Sequence, residues 1–288
     1  MSIVFAGTPQ IAAQSLTSLV KAGAPITLVI TRPDAPVGRK QILTPSPVAK
    51  VAEELGLPLI KTNAISSQVI DRLLQAKISF GIVLAYGVIL REPALSALPN
   101  GWFNIHFSLL PKLRGAAPVQ RALVNGETET GVSVFKIDAG LDTGDIAGAV
   151  PTHIEPTEDS FSLLNRLGDL GVSLLLETIP KIESGLLELS PQNNVGVSFA
   201  SKITRQEAEL TFSKPAFVLE NLVRGASPEP GAWTKVSSSA DLKVFYVRAH
   251  QALGLDIGEC SLVGGKVLVG CVQGSLELLE VQPAGKKQ

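Results

Sequence analysis

An apolar run from Ser79 to Ala85, SFGIVLA, is the feature of the sequence that most limits the fold. A strand with one face in water alternates apolar and polar residues, whereas this run is typical of a strand buried on both faces in a parallel sheet. The start of the chain agrees, because an apolar strand from Ser2 to Ala6 precedes a turn at residues 7–9 and a helical pattern. A strand, a glycine turn and a helix form a Rossmann-like opening, so we predict an α/β fold with a Rossmann-like parallel sheet.

Further segments continue this pattern of strands and helices. The predicted elements are a helix at 10–22, a strand at 26–30, and helices at 47–55, 67–75 and 157–183. Ser46 and Pro47 predict the start of the second helix, because serine is a favoured N-cap and proline suits the first helical position. Gly185 ends the last helix.

The stretch from Gly101 to Arg121, GWFNIHFSLLPKLRGAAPVQR, is the best candidate for a functional site. Trp102 to Ile105 is typical of a short buried strand, and Asn104 and His106 lie two residues apart, so their side chains leave the same face. Prolines and a glycine then prevent regular structure until Pro118 opens a helix. The chain thus places an amide and an imidazole at the carboxyl end of a strand, where open α/β sheets bind ligands.

Taken alone, this pair also fits a structural histidine and a turn-forming asparagine. The run GLDTGD from Gly140 to Asp145 favours function, because its two glycines and threonine place Asp142 on a tight loop. An amide, an imidazole and a carboxylate suit acyl transfer to an amine. The amide stabilises an oxyanion, the imidazole moves a proton, and the carboxylate orients the imidazole. No serine or cysteine nucleophile is marked, since G-x-S-x-G is absent and neither cysteine lies near a histidine.

The segments NIHFSLLP, LRGAAPVQ and GLDTGD resemble the folate-dependent formyltransferases, and the similarity runs from Ser2 to about Lys287. The resemblance is closest to members that act on initiator methionyl-tRNA. It implies transfer of a formyl group from 10-formyltetrahydrofolate to the methionyl amine, for translation initiation, with Asn104, His106 and Asp142 as the catalytic trio. Phe107 departs from the family pattern, which usually has a small residue here, so a ring should crowd the entrance of the site.

The resemblance also implies which residues bind folate. The matching residues are Ser108, Leu109, Leu110 and Pro111, which correspond to the segment lining the folate site, and Tyr86 and Gly87, which correspond to a turn that helps to wall it. A turn with a buried aromatic ring would explain Tyr86 equally well.

A proline-rich basic loop, TRPDAPVGRKQILTPSP, follows the second strand. Its four prolines predict an extended, exposed segment, and a long connection in a compact domain is often functional. The loop leaves the same sheet edge as Asn104 and His106, and Arg39 matches a basic position of the family. We therefore predict that Arg39 and Lys40 bind the acceptor end of the tRNA, with a solvated surface loop as the alternative.

The composition changes near Ser190. Residues 190–207 are polar and lack periodicity, which predicts a linker between a Rossmann-like catalytic domain at 1–189 and a second domain at 208–288. The second region has one predicted helix, Pro215 to Arg224, and short strands such as KVFYVRA and SLELLEV, which suggest a small OB-like β-barrel. The family also has an OB-like C-terminal domain, which implies that this region binds tRNA.

The net charge of −1 does not mark a nucleic-acid-binding protein, so a polyanion must be held by a local patch. Cys260 and Cys271 exclude a disulfide framework and are predicted to be small buried residues in strands, and the three histidines stand far apart, so we expect no metal. The chain begins without a basic cleavable leader, and no apolar run approaches the ~20 residues that span a bilayer. We expect no membrane association and a cytoplasmic location, and we further expect a monomer.

Three other functions stay open at this point. A nucleotide-sugar amine formyltransferase shares the trio and an OB-like second domain, whereas a glycinamide ribonucleotide formyltransferase shares the trio but lacks that domain. A non-catalytic RNA-binding protein on a degenerate scaffold would have no chemical reason to keep all three residues. FAGTP at 5–9, with RPDAPVGR and TPSPV between 32 and 48, favours tRNA as the acceptor.

Overall fold

The structure of the protein is a computed structural model, and it describes residues 2–38, 40–237, 240–251 and 254–283. Its strands are β1 (Ser2–Gly7), β2 (Ile26–Thr31), β3 (Ala35–Val37), β4 (Ile42–Thr44), β5 (Leu59–Lys61), β6 (Ile78–Leu84), β7 (Trp102–His106), β8 (Glu129–Lys136), β9 (Ile146–His153), β10 (Ala232–Ser237), β11 (Ala240–His250), β12 (Cys260–Val263), β13 (Lys266–Gly270) and β14 (Ser275–Pro283). Its helices are α1 (Gln10–Lys21), α2 (Pro47–Glu54), α3 (Ser67–Gln75), α4 (Pro118–Val124), α5 (Ser160–Ser184) and α6 (Ala216–Ala226).

The chain forms two compact units that interleave along the sequence. The first unit consists of Met1–Arg114, Gly131–Pro151 and Asn165–Ser198. The second unit consists of Gly115–Thr130, Thr152–Leu164 and Phe199–Gln288. The contiguous division into domains at 1–189 and 208–288 stays a prediction.

The first unit is built on a seven-stranded sheet in the order β5-β2-β1-β6-β7-β8-β9. Neighbouring strands from β5 to β7 are parallel, whereas β8 runs antiparallel to β7. Both β1 and β6 lie inside the sheet and are buried along nearly their whole length, as their apolar sequences predict. The predicted Rossmann-like parallel sheet is therefore confirmed.

Close packing between β6 and β7 explains the glycine within the long apolar run. A Cβ atom at Gly81 would overlap the indole ring of Trp102. This ring is fully buried, and its Nε1 donates to the carbonyl of Ala94 at 2.8 Å. A larger residue at position 81 would displace Trp102, and with it the strand that carries Asn104 and His106.

The carboxyl ends of the parallel strands meet at one edge of the sheet, and hydrogen bonds join the segments that leave it. Thr8, which follows β1, donates from Oγ1 to the carbonyl of Tyr86 after β6 at 2.8 Å. Thr31 at the end of β2 shares a 2.7 Å hydrogen bond with the hydroxyl of Ser46. Ser46 Oγ also accepts from the backbone N–H of Ala49 at 3.0 Å, so the predicted N-cap of α2 is confirmed.

Five strands do not follow from the sequence pattern. β9 is the edge strand of its sheet and contains Gly148 and Pro151, and an edge strand tolerates proline because one side of it needs no N–H donor. β5 and β12 have only three and four residues, too few to show a period. β3 and β4 form an antiparallel hairpin within the proline-rich loop, so this loop is exposed and extended as predicted but pairs with itself.

The second unit contains a five-stranded antiparallel sheet in the order β10-β11-β14-β13-β12. Helix α6 packs on this sheet, and its residues Leu219 and Val223 share a core with Val244 and Leu276 of the strands. Helix α4 begins with Pro118 as predicted and contacts α6. A Rossmann-like parallel sheet combined with a smaller antiparallel sheet confirms the predicted fold class.

The two cysteines of the second unit have different environments. Cys271 is buried just after β13, and burial raises the pKa of its thiol. Cys260 begins β12 and is exposed, so the prediction of two buried cysteines is wrong for Cys260. The reason is that the edge strand β12 is left uncovered on both faces, since its four side chains are all exposed or half-buried.

The longest helix in the described ranges is α5, with 25 residues. It carries charged side chains at Arg166, Asp169 and Glu177 within its apolar pattern. Among the helices that the structure describes, none is both long and apolar enough to cross a membrane.

Candidate active site

Strand β7 presents Asn104 and His106 at the carboxyl edge of the parallel strands. Asn104 pairs with Val83 of β6 and Phe135 of β8, and His106 pairs with Ser133 of β8. The two side chains alternate with Ile105 along the strand, as their spacing predicts. Asn104 is partly exposed, whereas His106 is only 5% exposed. The strand therefore offers an accessible amide beside a buried imidazole.

Hydrogen bonding determines the tautomer of His106. Its Nε2 lies 2.9 Å from the carbonyl oxygen of Leu113. A carbonyl oxygen can only accept, so Nε2 carries the hydrogen and Nδ1 of the neutral ring keeps its lone pair. The Phe135 ring meets the imidazole edge to face, with ring centroids 6.4 Å apart.

Asp142 faces the other nitrogen of the imidazole. Its Oδ2 lies 3.7 Å from Nδ1 of His106. This separation is longer than a hydrogen bond, but it permits a strong attraction once the ring is protonated. The Leu113 carbonyl therefore orients the ring, a role that the sequence pattern led us to expect of Asp142, and the Asp142 carboxylate acts on the charge of the ring.

Burial has the largest effect on the acid–base behaviour of His106. It lowers the pKa of the imidazole below its ordinary value, while the Asp142 carboxylate and the Leu113 carbonyl act in the opposite direction. The net lowering favours the neutral ring near neutral pH, because desolvation disfavours the charged form. Nδ1 is then available as a proton acceptor.

Both residues that contact the His106 nitrogens have left-handed backbone conformations. The φ angle is 57° at Leu113 and 52° at Asp142. Such a conformation costs a non-glycine residue about 1–3 kcal/mol and persists only where surrounding contacts hold it. The strained backbone therefore lies at the two residues that face the nitrogens of the imidazole.

Small residues and one carboxylate shape the loop that carries Asp142. The Asp138 carboxylate accepts hydrogen bonds from the backbone N–H of Gly140 at 3.0 Å and from the Thr143 hydroxyl at 2.7 Å. A Cβ atom at Gly140 would overlap the Thr143 hydroxyl, and one at Gly144 would overlap a backbone carbonyl of β8. Close contacts therefore require both glycines of GLDTGD.

The segment from Ser108 to Pro111 forms a turn that is stabilised by hydrogen bonds of two serine hydroxyls. Ser108 donates from Oγ to a carbonyl four residues later at 2.6 Å. Ser133 donates to the Ser108 carbonyl at 2.8 Å and accepts from the Leu110 N–H at 3.1 Å. Ser108 is 1% exposed, so its hydroxyl maintains the turn, whereas Leu109, Leu110 and Pro111 are partly exposed and present an apolar surface.

The aromatic side chains predicted near the site are buried. Tyr86 is 1% exposed and donates from its hydroxyl to the carbonyl of Thr62 at 2.9 Å. Burial, opposed by the charge of Arg32, raises the pKa of Tyr86 to about 12. Its ring belongs to the core, so a ligand contact at Tyr86 and Gly87 would have to come from the backbone. Phe107 is 7% exposed, so its ring packs within the protein.

The turn between β3 and β4 contains Lys40, one of the two residues predicted to bind tRNA. Arg39 lies outside the described residues, and Lys40 is exposed. Gln41 closes the turn, because its backbone N–H and its side-chain Nε2 both donate to the Gly38 carbonyl, at 3.2 and 2.9 Å. The turn is flanked by the exposed apolar side chains of Val37, Ile42 and Leu43.

Sequence reasoning missed several residues that hold the predicted trio in place. Leu113 acts through its carbonyl, so the type of its side chain carries no signal. Gln192, whose Nε2 donates to the Asp142 carbonyl at 2.8 Å, lies in the polar segment read as a linker. Asp138 could have been found, because an aspartate two residues before a glycine is typical of a turn closed by its own carboxylate.

The predicted trio brings three chemical functions together in the first unit. Asn104 provides a hydrogen-bond donor, His106 a proton acceptor and Asp142 a counter-charge. This set suits the addition of an amine to a carbonyl carbon, where an oxyanion develops and a proton must leave the amine. Within the part of the chain that the structure describes, no group of three or more His, Cys, Asp or Glu side chains is arranged to hold a metal ion.

Comparison with known proteins gives matches over nearly the whole chain. Residues 1–179 match the family model Formyl transferase, and residues 202–288 match Formyl transferase, C-terminal domain. The methionyl-tRNA formyltransferase of Clavibacter michiganensis subsp. michiganensis is 42% identical over 290 residues, covering 100% of this chain and 94% of the relative. That of Leifsonia xyli subsp. xyli is 44% identical over 287 residues, with the same coverage.

A solved structure has the same fold at lower identity. It is the N-formyltransferase from Helicobacter canadensis in complex with folinic acid and dTDP-3-aminofucose. The TM-score is 0.71 at 22% identity, and the match covers 96% of this chain and 98% of that one. At this identity the likeness shows the fold alone.

We expect His106 to titrate below the ordinary histidine pKa of 6.5 in the free protein, because burial lowers it. The substitution Asp142→Asn removes a negative charge that favours the imidazolium, so the pKa of His106 should fall further. Histidine-selective NMR titration of both proteins measures this. An equal or higher pKa of His106 in Asp142→Asn would contradict the role given to the Asp142 charge.

Proposed function

Because the chain belongs to the formyl transferase family, we propose that it transfers the formyl group of 10-formyltetrahydrofolate to the free amino group of initiator methionyl-tRNA, for translation initiation. The observation that carries this proposal is the identity of 42–44% to methionyl-tRNA formyltransferases over 100% of the chain. The match includes both the region of the trio and the second, strand-rich region, so it is not limited to the catalytic motifs.

The chemistry follows from the arrangement around His106. The neutral methionyl amine attacks the formyl carbon, and the carbonyl oxygen becomes an oxyanion that the Asn104 amide stabilises by donating a hydrogen bond. Nδ1 of His106 accepts the proton that the amine loses, and the Asp142 carboxylate stabilises the resulting imidazolium. The bond between the formyl carbon and the folate nitrogen then breaks, and that nitrogen receives a proton. The products are formyl-methionyl-tRNA and tetrahydrofolate.

The donor site is proposed at the turn from Ser108 to Pro111 and at the turn of Tyr86 and Gly87. Partly exposed Leu109 and Leu110 offer an apolar surface to the flat ring system of the folate. Ser108 contributes by holding the turn, because its hydroxyl is buried and bonded within the protein. The use of a folate-derived formyl donor is common to the family, and 10-formyltetrahydrofolate is the form we propose here.

The acceptor site is proposed at the hairpin of β3 and β4. This hairpin follows β2, whose carboxyl end lies at the same sheet edge as Asn104 and His106. Arg39 and the exposed Lys40 would contact the acceptor end of the tRNA, and the region 208–288 would contact the tRNA elsewhere. We propose that the protein acts in the cytoplasm, because its acceptor is a substrate of translation, and that it acts as a monomer.

A nucleotide-linked amino sugar is the alternative acceptor. The solved structure from Helicobacter canadensis contains dTDP-3-aminofucose, and it shares the fold over nearly the whole chain. Its identity to this chain is 22%, however, against 44% for the methionyl-tRNA formyltransferase of Leifsonia xyli. The comparison therefore favours tRNA, and an assay with both acceptors decides between them.

We expect the purified protein to move labelled formyl from 10-formyltetrahydrofolate to charged initiator tRNA much faster than to a dTDP-linked amino sugar. Asn104→Ala, His106→Ala and Asp142→Ala should each lower kcat, by about 10²–10³-fold where an oxyanion donor is removed. Circular dichroism of each variant controls for folding. Faster transfer to the amino sugar would reject the tRNA proposal, and near-parental kcat in Asp142→Ala across pH would reject the role of Asp142.

A second expectation concerns Arg39, which we propose binds the acceptor end of the tRNA. Arg39→Ala should lower kcat/KM for charged tRNA about tenfold or more, because a charge-assisted hydrogen bond is worth about 1.5–3 kcal/mol. Arg39→Lys should restore only part of this loss, since a lysine lacks the planar fork that binds phosphate and stacks on an unpaired base. The affinity for folate should hardly change. Steady-state kinetics with varied tRNA at fixed folate measures the effect.

The alternative for Arg39 is a solvated surface charge. It predicts a small loss that high salt abolishes equally in the parent and in both variants. Parental tRNA kinetics in Arg39→Ala would overturn the assignment of this hairpin to the acceptor end.

A further inference from the structure

The side-chain amide of Gln192 connects three groups near His106. Its Nε2 donates to the carbonyl oxygens of Asp142 and Gly144, both at 2.8 Å. Its Oε1 accepts from the Arg114 guanidinium, at 2.6 Å from Nη2 and 3.2 Å from Nε. Both hydrogens and both lone pairs of the amide are therefore used.

Ser198 makes a similar connection on the other side of the imidazole. Its Oγ accepts from the backbone N–H of Leu113 at 2.9 Å, and its carbonyl accepts from the N–H of Arg114 at 2.9 Å. Leu113 is the residue whose carbonyl accepts from His106 Nε2. The segment 192–198 thus contacts the residues that flank both nitrogens of the ring.

We propose that Gln192 is a positioning residue for the formyl transfer described above, and this inference rests on that proposed function. One amide links the left-handed residue Asp142 to Arg114, the neighbour of the left-handed residue Leu113. Gln192 thereby holds the backbone of Asp142 directly and acts on Leu113 through the side chain of Arg114. Ser198 contributes to the same arrangement from the Leu113 side.

Backbone strain at Leu113 and Asp142 makes the arrangement around His106 sensitive to the loss of these hydrogen bonds. The conformations of Leu113 and Asp142 persist only while surrounding hydrogen bonds hold them. Without the Gln192 amide, Asp142 loses one of the contacts that hold its left-handed backbone, and we expect its carboxylate to shift relative to the imidazole. Arg114, which is 8% exposed, would also lose the acceptor for two of its N–H groups. A misplacement of about 1 Å in a catalytic arrangement can cost about 10²-fold in rate.

The substitution Gln192→Met tests the proposal, because methionine has a similar length but cannot replace these hydrogen bonds. We expect kcat for formyl transfer to charged tRNA to fall about tenfold to a hundredfold. The KM values for folate and for tRNA should stay near those of the parent, since the groups that move are not the ones proposed to bind either substrate.

Two further variants complete the kinetic test. Asn194→Ala is the matched control: it changes an exposed residue of the same segment, and its kcat should equal that of the parent. Gln192→Glu retains oxygens that accept from Arg114 but has no N–H for the two carbonyls, so its kcat should also fall. This variant takes the place of Gln192→Met if the latter does not fold.

A titration of the free protein separates positioning from general loosening. Among the contacts of the imidazole that the structure describes, the Asp142 carboxylate is the charged group, beside the Leu113 carbonyl and the Phe135 ring, so displacement of the Asp142 charge has a direct readout. Because this charge raises the pKa of His106, that pKa should be lower in Gln192→Met than in the parent. Asn194→Ala should leave it unchanged.

The results that would overturn the proposal are distinct from a failure of the proposed function. Parental kcat and parental His106 pKa in Gln192→Met overturn it, as does an equal loss of kcat in Asn194→Ala. A raised KM with an unchanged pKa of His106 assigns Gln192 to binding or stability and overturns it as well. If the parent does not formylate charged tRNA, the proposed function fails, while the pKa comparison still decides what Gln192 does.

Discussion

The hydrogen bond from His106 Nε2 to the Leu113 carbonyl is the contact on which the rest of the site depends. It turns the imidazole so that Nδ1, the nitrogen with the lone pair, faces the Asp142 carboxylate at 3.7 Å. The left-handed backbone at Leu113 directs its carbonyl to the ring, and the left-handed backbone at Asp142 belongs to the residue opposite.

The sheet positions His106, whereas the residues that face the two nitrogens of its imidazole lie on segments without regular structure. Parallel strands bring the ends of β1, β2, β6 and β7 to one edge, and β7 carries Asn104 and His106 there. Leu113, Asp142 and Gln192, in contrast, lie on segments without regular structure. A rigid sheet with functional loops at its carboxyl edge is the general arrangement of open α/β enzymes. Here three separate loops, which carry Leu113, Asp142 and Gln192, come together around one imidazole.

The sequence predicted the elements and the reactive side chains, but not the backbone groups that position them. The apolar run ending in Ala85 and the two-residue spacing of Asn104 and His106 express local periods, which a single sequence shows directly. The carbonyl of Leu113 has no such signal, because every residue type offers one. Gln192 lies in a polar segment read as a linker, and its bonds to Asp142 and Arg114 span 50 and 78 positions of the chain. The sequence also could not show that the Tyr86 ring is buried in the core, where it cannot contact a ligand.

The central claim, that Leu113 rather than Asp142 orients the imidazole, is tested most directly by the tautomer of His106. The ¹⁵N chemical shifts of the neutral ring, recorded by NMR above its pKa, identify which nitrogen carries the hydrogen. The account predicts hydrogen on Nε2, donated to the Leu113 carbonyl, with Nδ1 free to accept a proton beside Asp142. Hydrogen on Nδ1 would contradict it, because the ring would then be held by Asp142 and the proton acceptor would be the opposite nitrogen.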